Sequence, residues 1–150
     1  MKFNPTPLVE AKADIMAHAK LFKMDQFVGF TNDRDWNDLI QKIDCNTTFC
    51  IAGSITIRYF GIIVDSHGYP HPASVNKEKD WDTDWDDDWE GYARSVAGMT
   101  EAEAKALFYQ CSWGQIAPRF YNLPPTAKNA CIVIDEFLRQ KGYDPRGQPA

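Results

Sequence analysis

The chain has 150 residues with 44% hydrophobic and 25% charged side chains, the composition of one globular domain and not of a disordered chain. Its formal net charge is −5, and its 16 Lys and Arg are scattered. No basic face of the kind an ordinary nucleic-acid binder needs is visible, so direct nucleic-acid binding is disfavoured and not expected, with a local basic pocket as the alternative.

In chain order, Thr6 and Pro7 open a first helix, Thr6 as cap and Pro7 at its first position. Leu8, Ala11, Ile15, Ala19 and Phe22 make its apolar face. Phe27 to Phe30 is a short apolar strand or turn. Trp36, Leu39, Ile40 and Ile43 are helically spaced and predict a second helix over 34–43. Asn46, Thr47 and Thr48 read as a cap cluster for a buried helix over 49–63, where Ala52 and Gly53 allow a neighbour to approach. The competing reading is a buried strand, since Ile55, Thr56, Ile57, Tyr59 and Phe60 are β-branched or aromatic; length favours the helix.

Residues 66–79 contain Gly68, Pro70 and Pro72 and predict a long irregular loop. An acidic–aromatic segment follows at 80–90, and then a short helix over 92–97 that stops at Gly98. Thr100 and Glu103 form a capping box for a helix carrying Ala104, Leu107, Phe108 and Cys111. Residues 113–125 hold three prolines and predict a loop. Thr126 caps a last helix whose stripe is Ala130, Ile134, Phe137 and Leu138, and Gly142 closes it. The tail, 144–150, is expected to fray. The expected fold is therefore an all-α or α-dominated single domain over 1–143, a bundle of about five helices with a long acidic loop.

No apolar run follows Met1, so no signal peptide is expected. The longest apolar stretch, 49–64, is broken by Gly53, Ser54, Arg58 and Gly61 and is too interrupted for a membrane span. A cytoplasmic protein with reduced thiols is the simplest expectation for Cys45, Cys50, Cys111 and Cys131.

Two patches carry a resemblance. Cys45-Asn46-Thr47-Thr48-Phe49-Cys50-Ile51-Ala52-Gly53, together with Leu107-Phe108-Tyr109 and the later Trp113, resembles a Cys-Gly-Thr-x-x-Cys-x-Ala-Gly-Trp pattern. Small uncharacterised phage and bacterial proteins carry that pattern. Asn46 and Ser54 depart from it, where the pattern has Gly and Trp. The resemblance implies a viral or bacterial origin and supplies no mechanism.

Four constellations bear on function. Cys50 at a helix start, with His67 or His71 as base, has the elements of a cysteine hydrolase. Its apolar neighbours Phe49, Ile51 and Ala52 favour a buried structural thiol instead. Cys45, Cys50, His67 and His71 superficially copy a zinc pattern, but Gly68 and Pro70 keep the histidines off one helix, so no metal or other cofactor is expected. Residues 80–90 hold six Asp and three Trp, and no register of them places Gly and Glu as a calcium loop requires. Trp81, Trp85 and Trp89 instead fall at i, i+4 and i+8, one aromatic stripe on a helix. Such a stripe commonly packs inward. The crowded carboxylates, however, suit a basic protein surface, which makes Trp81, Asp82, Asp84, Trp85, Asp86, Asp88 and Trp89 the candidate binding residues. Last, Trp113, Arg119 and Tyr121 in the proline-rich loop are candidates for a small nucleotide-like ligand, against the plainer reading of a packed loop.

No motif is specific enough to name a reaction. The sequence points to a non-enzymatic, phage-encoded binding protein that inhibits a host protein with a basic surface. Ligand sequestration and a Cys50-dependent hydrolase are the alternatives.

Overall fold

The computed structural model of the chain describes residues 2–22, 28–30, 47–64, 70–72 and 85–150. The protein is helical. Among the described residues there are five α-helices: α1 (Thr6–Ala17), α2 (Ile51–Phe60), α3 (Trp85–Ala97), α4 (Glu101–Phe108) and α5 (Ala127–Gln140). Short 3-10 turns at Ala19–Leu21, Gln110–Gln115 and Pro118–Phe120 complete the helical part. Two antiparallel strand pairs accompany them. β1 (Val28–Phe30) lies beside β2 (Thr47–Phe49) with Gly29 opposite Thr48, and β3 (Ile62–Val64) lies beside β4 (Pro70–Pro72) with Ile63 opposite His71. The expected helix over 34–43 lies outside the described residues.

The core is a shared apolar seam. Leu8, Ala11 and Ile15 of α1 meet Ile51, Ala52 and Ile55 of α2, with Ala93 and Ala97 of α3 closing one side. Leu107, Phe108, Trp113, Ile134 and Leu138 belong to the same cluster. The stripes expected on α1, α4 and α5 are the buried faces, because period-3.6 apolar spacing leaves a helix only one side to hide. Ala19 and Cys111 are exceptions: Ala19 lies past the end of α1 and Cys111 past the end of α4, and both are exposed.

Several local readings need correction. Thr47 and Thr48 do not cap the buried helix; they are strand. The cap is Cys50, whose sulfur accepts from the Gly53 N–H at 3.4 Å. Its extended backbone (φ −105°, ψ −170°) lets β2 run straight into the helix, as a cap residue must be non-helical. Nor does the helix continue to 63. Gly61 takes φ +72°, a conformation that disfavours any other residue, and the β-branched Ile62, Ile63 and Val64 leave it as a strand. Residues 66–79 were expected to lack regular structure, yet Pro70–Pro72 pairs with that strand. Residue 6 is also not the cap: the helix begins at Thr6, and the Asn4 side chain accepts from the Thr6 N–H at 3.2 Å.

α3 begins seven residues earlier than expected. Six aspartates argue against a helix when counted as mutual repulsion. Asp86, Asp87 and Asp88, however, fall in its first turn, where the macrodipole favours negative charge, and Trp89 supplies the buried anchor. The helix ends at Gly98 (φ +63°), which is further constrained because a Cβ there would lie 2.1 Å from the Lys2 carbonyl oxygen. The N-terminal residues thus close over this end, with the Asn4 N–H donating to Ala97 O at 2.9 Å.

The capping box forms as read. Glu103 N–H donates to Thr100 Oγ1 at 3.1 Å, and Thr100 N–H donates to the Glu103 carboxylate at 2.9 Å. Thr126 caps α5 through the Asn129 N–H. α5 closes with two bonds of a Schellman motif, Tyr143 N–H to Leu138 O and Gly142 N–H to Arg139 O.

The tail is not frayed. Ala150 N–H bonds Gly142 O, and Asp144 accepts from the N–H groups of Arg146 and Gln148. Lys12 donates to Pro145 O at 2.6 Å, and the Gly147 backbone packs on Val9. Polar turn residues look like a free end in sequence, but here they fold back against α1.

Candidate functional site

Two places in the structure gather the candidate residues. The first is the start of α3. Trp81, Asp82 and Asp84 lie outside the described residues, whereas Trp85, Asp86 and Asp88 lie in the first turn of the helix. Trp89 follows one turn after Trp85 and is buried, 3% exposed. Its carbonyl oxygen accepts from the Thr56 hydroxyl at 3.2 Å, and the same hydroxyl reaches Ala52 O at 2.9 Å. α3 is therefore tied to α2 at the point where the acidic segment ends.

Glu90, the last acid of the segment, is also buried. One oxygen accepts from the Tyr109 hydroxyl at 3.2 Å; the other has no hydrogen-bond partner. Sequence reading missed this contact, since nothing in a Trp-Glu pair announces a tyrosine nineteen positions away.

The second place is where the 3-10 turns meet α5. Trp113 is fully buried, and its indole N–H donates to Leu107 O at 2.9 Å, so both its surface and its polar atom are satisfied by the protein. Arg119 stacks over the Phe120 ring, 4.6 Å from the centroid, and forms an ion pair with Glu136 at 3.3 Å. Glu136 is itself buried on α5 and takes two bonds from Arg139, Nε at 2.8 Å and Nη2 at 2.6 Å. Gln140 donates to Glu136 at 3.1 Å and to Ile116 O at 2.7 Å, which fastens the turn to the helix. The Arg139 bonds, with help from Gln140 and Arg119, hold the Glu136 carboxyl down at about 2. Tyr121 is 75% exposed, its ring lying against Gly114. Glu136 and Arg139 were not singled out in the sequence, although Glu-x-x-Arg at i, i+3 on a helix is a readable ion-pair spacing.

Cys50 is 2% exposed and serves as the α2 cap. Its proposed partner His71 is in β4, while His67 and Cys45 lie outside the described residues. Among the described residues no group of three His, Cys, Asp or Glu is placed to hold a metal. None of the helices among them is long and apolar enough to cross a membrane. No family model, curated protein or solved structure matches the chain.

Proposed function

We propose that this chain is a non-catalytic binding protein that engages a basic protein surface through residues 80–90. The observation that carries the reading is the join at Trp89. The segment's far end is built into the core at Trp89, and Asp86, Asp87 and Asp88 fall in the first turn of α3, so the segment has a fixed base at that end. Fixing one end lowers the ordering cost of binding. The first 90 residues hold 16 of the 21 Asp and Glu, which supplies the long-range field that would steer a basic partner. The resemblance to small phage proteins suggests a bacterial host protein as the partner and inhibition in the host cytoplasm as the outcome.

Changing Asp82, Asp84, Asp86 and Asp88 together to Asn tests this. The variant should fold with an unchanged circular-dichroism spectrum and lose a host protein that the unaltered chain retains at low salt and releases at high salt. Equal retention of that protein by the variant would remove the acidic segment from the interaction.

Cys50, buried and bonded as a cap, supports a structural thiol more than a nucleophile.

A further inference from the structure

The cluster around Glu136 has one property beyond fastening a turn to a helix. Two guanidiniums share a single carboxylate, and among the described residues neither has a second acidic partner. One positive charge is therefore left over at a place where both cations are already oriented. Arg139 is gripped through Nε and Nη2, which leaves Nη1 unused. Arg119 is held on one face by Phe120 and at Nη2 by Glu136, which leaves Nε and Nη1. Both side chains are open to solvent, 62% and 70% exposed. The buried carboxylate offsets the repulsion that would otherwise drive the two arginines apart, and it stays ionised across the neutral range. Planar forks with in-plane donors match the geometry of phosphate oxygens.

Two residues after Arg119 in the chain comes Tyr121, a large exposed aromatic whose ring lies against Gly114 and whose backbone leads into Asn122 at φ +61°. The last 60 residues carry seven Lys and Arg against five Asp and Glu, so this stretch of an acidic chain has a small positive excess.

We propose that Arg119, Arg139 and Tyr121 form a surface site for a phosphomonoester carried on an aromatic group, with Glu136 as the residue that positions the two arginines. This site is independent of the acidic segment and stands or falls apart from it. Trp113, being buried, takes no part. Because the arginines are solvated, the affinity is modest, with Kd on the order of 1 mM, and it weakens as salt screens the charges.

The test is titration of the full chain with adenosine monophosphate, followed by backbone amide NMR. Saturable shifts centred on residues 114–122 and 136–140 are expected. Arg119→Gln should weaken binding about tenfold. Arg119→Lys should also weaken it several-fold, since charge is kept and the fork is lost. Gly114→Ala would push the Tyr121 ring aside, a built Cβ lying 2.3 Å from its Cδ2, and should reduce affinity for the monophosphate while leaving that for inorganic phosphate unchanged. Adenosine alone should not bind. The proposal is overturned if no saturable shift occurs up to about 10 mM, if adenosine binds as well as its monophosphate, or if Arg119→Gln, folded as judged by its spectrum, binds as the original does.

Discussion

The sharpest perturbation is at Trp89, because the three tryptophans of the stripe look equivalent in sequence and Trp89 is buried. Trp89→Ala removes a side chain that is 97% shielded and packed beside α2. Large-to-small changes of this kind cost about 3–5 kcal/mol, the transfer term plus the cavity left behind. The hydrogen bond from Thr56 goes to the main-chain oxygen of residue 89 and survives the substitution, so no polar loss is added. At about 2–4 °C per kcal/mol for a chain of this size, the melting temperature should fall by roughly 6–20 °C. Thermal unfolding followed by circular dichroism measures it, with urea unfolding for the free energy. Under the binding proposal Trp81→Ala behaves oppositely: stability within about 0.5 kcal/mol of the original, and partner retention lost. A Trp89→Ala variant destabilised by less than about 1 kcal/mol would refute the anchoring role of Trp89, and with it the argument that the acidic segment is presented from a fixed base.

Other outcomes follow from the same physics. Thr100→Ala deletes one half of the capping box and should cost about 1 kcal/mol by urea unfolding. The Glu136 carboxyl sits at about 2, below its ordinary 4.5, so the stability it contributes is complete above pH 4.5 and is lost as pH falls from there through 2. The unaltered chain should therefore lose melting temperature steeply over that window, and Glu136→Gln, less stable at neutral pH, should show a shallower fall. Native thiol labelling should modify exposed Cys111 before Cys131 and leave Cys50 protected until denaturant is added. Burial pushes the Cys131 thiol up, which slows it further. Equal labelling rates at Cys50 and Cys111 would contradict the cap geometry at α2.

Helical periodicity and capping chemistry carried most of the fold into the sequence. α4 and α5 were readable because each begins at a Thr whose oxygen has a backbone N–H three residues on, a purely local relation. The run from 47 to 64 was only half readable. Its apolar content was plain, but whether Thr47 caps a helix or pairs in a strand depends on Phe30, its partner seventeen residues earlier, and no local rule contains that contact. The early start of α3 was hidden for a different reason. Charge repulsion among aspartates is visible in the sequence, whereas the compensating dipole and the buried face of Trp89 exist only once the helix has formed.

The candidate sites divide along the same line. Composition selects residues that are chemically able, and burial decides which of them a partner can reach. Trp113 and Cys50 were able in that sense, yet each has its polar atom bonded inside the protein, one to Leu107 and one to Gly53. Arg119 and Tyr121 stay open to solvent, and the residue that orients Arg119 is Glu136, seventeen positions away on α5. A carboxylate that is buried, ionised and bonded by more cations than it can neutralise leaves charge at the surface beside it. In an acidic chain that leftover charge is more informative than any count of arginines, because it is fixed in place before a ligand arrives.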